Sequence, residues 1–155
     1  MGEAPGQALH AEPQTRDSIR AAADARGLGG HLRFLGVITD RDELAAVYRA
    51  ADVHVFPVRE IAGDPEGFGM VAIEAAAQGL PTVAYATGGV VDAVAPGRSG
   101  RLVPSGDGPA MAAAIEATLA ERETLRGTCR AFAETFAWPR FGEAMADAIG
   151  LRDPG

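Results

Sequence analysis

The sequence predicts an α/β fold with a parallel sheet flanked by helices. The first observation behind this is alternation: short runs rich in β-branched and aromatic residues are separated by runs with apolar residues at helical spacing. The second is size. At 155 residues and 47% apolar, the chain suits one soluble domain that buries about 70% of the surface exposed by its unfolded form. The third is the absence of any internal repeat or disulfide framework that would suggest another class.

Taken in order, residues 1–14 carry Gly, Pro and Gln without periodicity and read as a loose lead-in. Residues 15–150 read as the folded part. Thr15 to Arg26 is expected to be a helix with Ile19, Ala22 and Ala23 inward, ended by Gly27-Leu28-Gly29-Gly30. His31 to Gly36 reads as a first short strand. Asp40 and Glu43 form a capping-box pattern ahead of Leu44, Val47, Tyr48 and Ala51 at helical spacing. Asp52 to Pro57 (DVHVFP) reads as a second strand. A polar loop then leads to Glu66 and the apolar helix Phe68 to Gln78, closed by Gly79. Pro81 to Ala86 (PTVAYA) is a third strand. Gly88-Gly89 opens a short helical piece, and Arg101-Leu102-Val103 is a fourth strand. Residues 108–150 read as C-terminal helices. One starts at Asp107 and Pro109 with Met111, Ile115 and Leu119 inward; another carries Leu125, Cys129, Phe132 and Phe136. The last begins at Trp138-Pro139, with Phe141, Met145 and Ile149.

Charge and composition exclude several functions. A net charge of −7 and a pI near 4.9 disfavour nucleic acid or an anionic membrane as the main partner, since both need a basic footprint. All 14 positive charges are arginines, which removes P-loop phosphate transfer and Schiff-base chemistry. One cysteine and three scattered histidines cannot make a structural zinc site, and Cys129 reads as a small core residue. The apolar stretch Met70 to Val91 is broken by Glu74, Gln78, Gly79 and Pro81, too interrupted to span a bilayer. No leader pattern is visible at the start, so the expected location is the cytoplasm.

The run Gly63-Asp64-Pro65-Glu66-Gly67-Phe68-Gly69-Met70-Val71-Ala72-Ile73-Glu74 carries the chemistry. It follows the carboxyl end of a strand and opens a helix, where open α/β sheets place their ligands. Unpaired N–H groups at that helix start, aided by the positive end of the helix dipole, make an anion site, and Gly67 and Gly69 allow close approach to the main chain. Glu66, just before the helix, either faces a ligand or simply complements the dipole. Glu74 stands in a helix apolar almost all round. It is therefore expected to be buried, and side chains tilting toward the helix start would let it reach the ligand end.

These residues resemble the E-x7-E element of retaining GT-B glycosyltransferases, the group 1 family of bacterial mannosyl-, glucosyl- and N-acetylglucosaminyl-transferases. FLGVITDRDELAAVYRAADVHVFP and EGFGMVAIEAAAQGLPTVAYATGGVVDAVAPGRSGRLVP carry the likeness, which covers about Leu32 to Phe141. The resemblance implies a Rossmann-like parallel sheet, the C-terminal half-domain of a GT-B fold, lacking its first two strands. In strand order 3-2-1-4-5-6 the four strands read here would be the third to the sixth. It also implies roles. Glu66 would contact the transferred sugar and support developing positive charge. Main-chain groups of Gly67, Phe68, Gly69 and Met70 would hold sugar and distal phosphate. Glu74 would bind the ribose hydroxyls, Ile38 would lie against the nucleobase, and Gly88-Gly89 would turn beside the donor pocket. The implied ligand is a UDP- or GDP-linked sugar, with no metal or other cofactor.

Three departures qualify the likeness. Asp92 stands where the family usually has glutamate, and the GR..KG-type segment and the acceptor-binding domain do not appear in the sequence. The expected function is hexosyl transfer by a donor-binding fragment, which would act with a separate chain carrying the other half. That half could also bring it to the membrane surface. A non-catalytic sugar-nucleotide-binding module and a GT-B epimerase are the alternatives.

Overall fold

A computed structural model of the protein describes residues 15–58 and 67–150. They fall into two compact units, one containing residues 15–46 and the other residues 47–58 and 67–150.

In the first unit, α1 (Arg16–Asp24) starts with a reciprocal cap. The Ser18 amide donates to Thr15 Oγ1 at 3.1 Å, and the Thr15 amide donates to Ser18 Oγ at 3.0 Å. Gly27, at φ +70°, releases the chain from the helix. The guanidinium groups of Arg16 and Arg20 lie 5.1 and 5.5 Å from the centre of the Phe34 ring, and they border a cavity of about 500 Å³ with Leu32 and Arg33. The expected strand at His31 to Gly36 is not formed. His31 ends a 3-10 turn, and residues 32–36 run on without strand pairing. A strand is held by its neighbours' hydrogen bonds, and none of the described residues lies beside this segment as a strand. α2 (Arg41–Ala50) begins in this unit, where Asp40 Oδ1 accepts from the Glu43 amide at 2.8 Å.

The second unit carries the sheet, with β1 (His54–Phe56), β2 (Thr82–Tyr85) and β3 (Gly100–Val103) all parallel and in the order β1-β2-β3. Its register pairs His54 with Thr82 and Phe56 with Ala84, then Thr82 with Gly100 and Tyr85 with Val103. Three parallel strands in sequence order match the fourth to sixth strands of the implied half-domain. Between them run α3 (Met70–Ala77) and α4 (Val90–Ala93).

The two C-terminal helices read from the sequence before Trp138 are one helix, α5 (Gly108–Ala133), 26 residues long. Residues 120–124 contain neither Gly nor Pro to break it, and Gly127 lies mid-helix on an exposed position. Asp107 caps its start through the Ala110 amide at 2.8 Å. Met111 and Ala114 pack with Val83 and Val103 in one core cluster. Leu125, Cys129 and Phe132 pack with Ala72, Ile73, Ala76, Val90 and Ala93 in the other. Cys129 is fully buried, and burial pushes its thiol up to about 11, so it is an apolar filler as read. α6 (Trp138–Ala148) follows, with Trp138, Phe141, Met145 and the succeeding Ile149 all exposed.

Candidate functional site

The site lies in the second unit, beyond the carboxyl ends of β1 and β2. Gly69 caps α3 at φ +76°, ψ +44°, and no side chain caps the helix. The Ala72 amide turns back onto the Gly69 carbonyl at 2.9 Å, so the Met70 and Val71 amides are the ones open to water or a ligand. The space above Gly69 would admit a methyl group in ordinary contact: a Cβ there would stand 3.4 Å from Phe56 Cε1 and 3.5 Å from Val90 Cγ2. Glycine is needed here for its left-handed conformation rather than for room. Opposite, the Gly88-Gly89 turn leads into α4, and its backbone meets the glycine-rich segment. A Cβ on Gly89 would be 2.7 Å from the Gly67 carbonyl oxygen and 3.0 Å from Phe68 Cα. The two glycine-containing turns therefore form one wall built from main chain.

Phe68 turns its side chain away from this wall. It packs against the core, 5.4 Å between ring centres from Phe136. Met70 is exposed. Glu74 corrects the sequence reading: α3 is not buried all round, and Met70, Val71, Glu74 and Ala77 form an exposed stripe at helical spacing while Ala72, Ile73, Ala75 and Ala76 face inward. The small, apolar composition of the helix concealed this stripe, because alanine is equally at home on either face. Glu74 therefore needs no buried partner. Its Oε2 lies 3.4 Å from the Tyr48 hydroxyl.

Sequence reasoning missed Tyr48, which had only its helical spacing to mark it. Burial, then the charge and hydrogen bond of Glu74, raise its phenol above the ordinary value. The ring of Tyr48 meets that of His54 edge-on, with centres 6.2 Å apart, and His54 stacks on Phe56 at 5.8 Å. Burial lowers His54 to about 4, and its Nδ1 lies 3.1 Å from Thr82 Oγ1. Of the other expected site residues, Ile38 belongs to the first unit and is half-buried there, and Glu66 lies outside the described residues. The structure thus brings together Gly67, Phe68, Gly69, Met70, Gly88 and Gly89, with Glu74 on the same helix beyond them. Among the described residues no cluster of three or more His, Cys, Asp or Glu could hold a metal ion, and no helix is long and apolar enough to cross a membrane.

A parallel α/β sheet with an uncapped, glycine-led helix start at its strand ends is the arrangement of nucleotide-binding folds. The chain belongs to the family described as "Glycosyl transferases group 1", whose pattern matches residues 6–134. It is 40% identical over 148 residues to a D-inositol 3-phosphate glycosyltransferase of Geodermatophilus obscurus, covering 96% of this chain and 31% of that one. A phosphatidyl-myo-inositol mannosyltransferase of Mycobacterium leprae is 41% identical over 103 residues, covering 66% of this chain and 26% of its own. Among solved structures, sucrose-phosphate synthase from Thermosynechococcus elongatus superposes with a TM-score of 0.74 at 34% identity, covering 97% of this chain and 38% of that one. HepE from Anabaena, solved in complex with UDP, does so with a TM-score of 0.69 at 25% identity, covering 88% and 36%. The fold is therefore that of a GT-B half-domain, and the chain spans about a third of the length of the relatives it matches.

Proposed function

We propose that the chain is the donor-binding part of a retaining glycosyltransferase and holds a UDP- or GDP-linked sugar. The observation that carries this reading is the uncapped start of α3, walled by the main chain of Gly67–Gly69 and Gly88-Gly89. Transfer from a nucleotide diphosphate leaves negative charge on the departing phosphate. Fixed N–H donors aimed there act where charge grows, without a resident metal or other cofactor. Glu66 is assigned to the transferred sugar, Glu74 to the ribose hydroxyls, and Ile38 to the nucleobase. A soluble, cytoplasmic setting suits such a donor.

Titration calorimetry with UDP and GDP tests the reading. The chain is expected to bind at least one of them, and Glu74→Gln to weaken that binding. Losing charge-assisted hydrogen bonds costs roughly 1.5–3 kcal/mol, about 10- to 150-fold in Kd. Absence of binding, or affinity unchanged by Glu74→Gln, would sink the assignment.

A further inference from the structure

We propose that Tyr48 is a specificity-determining positioning residue: its phenol sets the Glu74 carboxylate so that the site selects ribonucleotides over 2′-deoxyribonucleotides. This rests on the donor-binding reading above. Glu74 stands on the exposed stripe of α3, where a free glutamate samples many rotamers and must lose that freedom to grip a ligand. Tyr48 removes part of the loss beforehand. It is half-buried and its hydroxyl donates toward Glu74 Oε2, 3.4 Å away, leaving Oε1 and the second lone pair of Oε2 to accept from two ligand hydroxyls.

The phenol is itself held on a rigid footing. Its ring meets His54 edge-on, and His54 is fixed on β1 by stacking on Phe56 and by its 3.1 Å contact with Thr82 Oγ1. The next residue, Arg49, donates from Nη1 to Gln78 Oε1 at 2.8 Å. Two consecutive residues of α2 therefore tie down two residues one turn apart, Glu74 on α3 and Gln78 at its C-cap. The phenol also stays protonated at neutral pH, since burial and then Glu74 raise it, so it remains a donor. A carboxylate oriented in this way is matched to the paired hydroxyls of a ribose. A ligand lacking one hydroxyl leaves the prepared acceptor unpaired, which is how polar sites discriminate most strongly.

The test measures Kd for UDP, GDP and their 2′-deoxy counterparts with the parent chain, Tyr48→Phe, Glu74→Gln and the double variant, with melting followed in parallel. Tyr48→Phe keeps the ring against His54. It is expected to weaken ribonucleotide binding about fivefold, leave the deoxy ligands within about twofold, and add nothing in the Glu74→Gln background. Equal losses for ribo and deoxy ligands would mean a merely structural role and overturn the proposal. A ribo-to-deoxy ratio kept by Tyr48→Phe but lost in Glu74→Gln would overturn it and leave the donor-binding reading standing. A parent chain that binds both sugar forms alike would overturn this proposal and leave nucleotide binding standing, whereas one that binds neither nucleotide would sink that reading and this proposal together.

Discussion

His54 carries the clearest consequence of burial at a single residue. Its imidazole is lowered to about 4 by desolvation, against about 6.5 in an unfolded chain. The folded state therefore refuses a proton that the unfolded state accepts. Stability from this group is complete above pH 6.5, falls as the pH drops from 6.5 to 4, and is constant below 4. The shift corresponds to roughly 3 kcal/mol. Urea midpoints at pH 7.5 and 4.5 should show the loss, and His54→Phe should remove much of it; an unchanged pH slope in that variant would place the titration elsewhere. Glu74 shows what the sequence conceals at this scale. Its spacing from Glu66 pointed to a site, but its exposure could not be read in a helix of alanines. The approach of Tyr48 to Glu74 was likewise invisible, because the contact joins residues 26 positions apart. For Glu66, Glu66→Ala in an enzyme competent for transfer is expected to lower turnover far more than melting. Turnover within about threefold of the parent, under ~1 kcal/mol of barrier, would remove it from catalysis.

Most elements of the second unit were legible because each carries its own punctuation. Gly79 and Pro81 separate α3 from β2, and Asp107 with Pro109 starts α5. The segment that failed, residues 31–36, had strand composition but depends on a neighbour that composition cannot supply. The break expected within α5 failed for the opposite reason. Its apolar face drifts from one core cluster to the other, so a continuous helix looks like two amphipathic ones. The glycine positions give separable tests of fold and site. Gly100→Ala would place a Cβ against the Thr82 carbonyl oxygen between β2 and β3. Overpacking of this kind costs typically 1–3 kcal/mol, and more where backbone must move, so a cooperative melt is expected to fall sharply. Gly89→Ala has an ordinary φ of −73°, and its Cβ would meet first the Gly67 and Phe68 backbone. It is expected to weaken nucleotide binding about tenfold while melting changes less than in Gly100→Ala. The reverse order would show that the main-chain wall serves the fold rather than a ligand.

At the scale of the whole molecule, burial among the described residues is confined to one unit. Between residues 15 and 46 every residue is exposed or half-buried, whereas the second unit holds both core clusters. Within the sheet, β2 is paired on both sides, while β1 has a partner only in β2 among the described residues. The His54 amide donates to the Pro81 carbonyl, so by parallel ladder geometry the Val55 amide and carbonyl point the other way. Local opening costs least where few apolar groups are covered and most at a buried, doubly paired strand. Amide hydrogen exchange should therefore be slowest across β2 and the inward face of α3, and the Val55 amide should exchange much faster than the His54 amide. Residues 15–46 should show the least protection, α1 retaining only what its reciprocal Thr15–Ser18 cap provides. The exposed stripe of α6 belongs to the same pattern: Trp138 is 82% exposed, so Trp138→Ala should leave the melting temperature nearly unchanged. Protection in residues 15–46 equal to that of β2 would show that the first unit is held as firmly as the core. It would then have to owe that stability to something other than the burial of its own side chains.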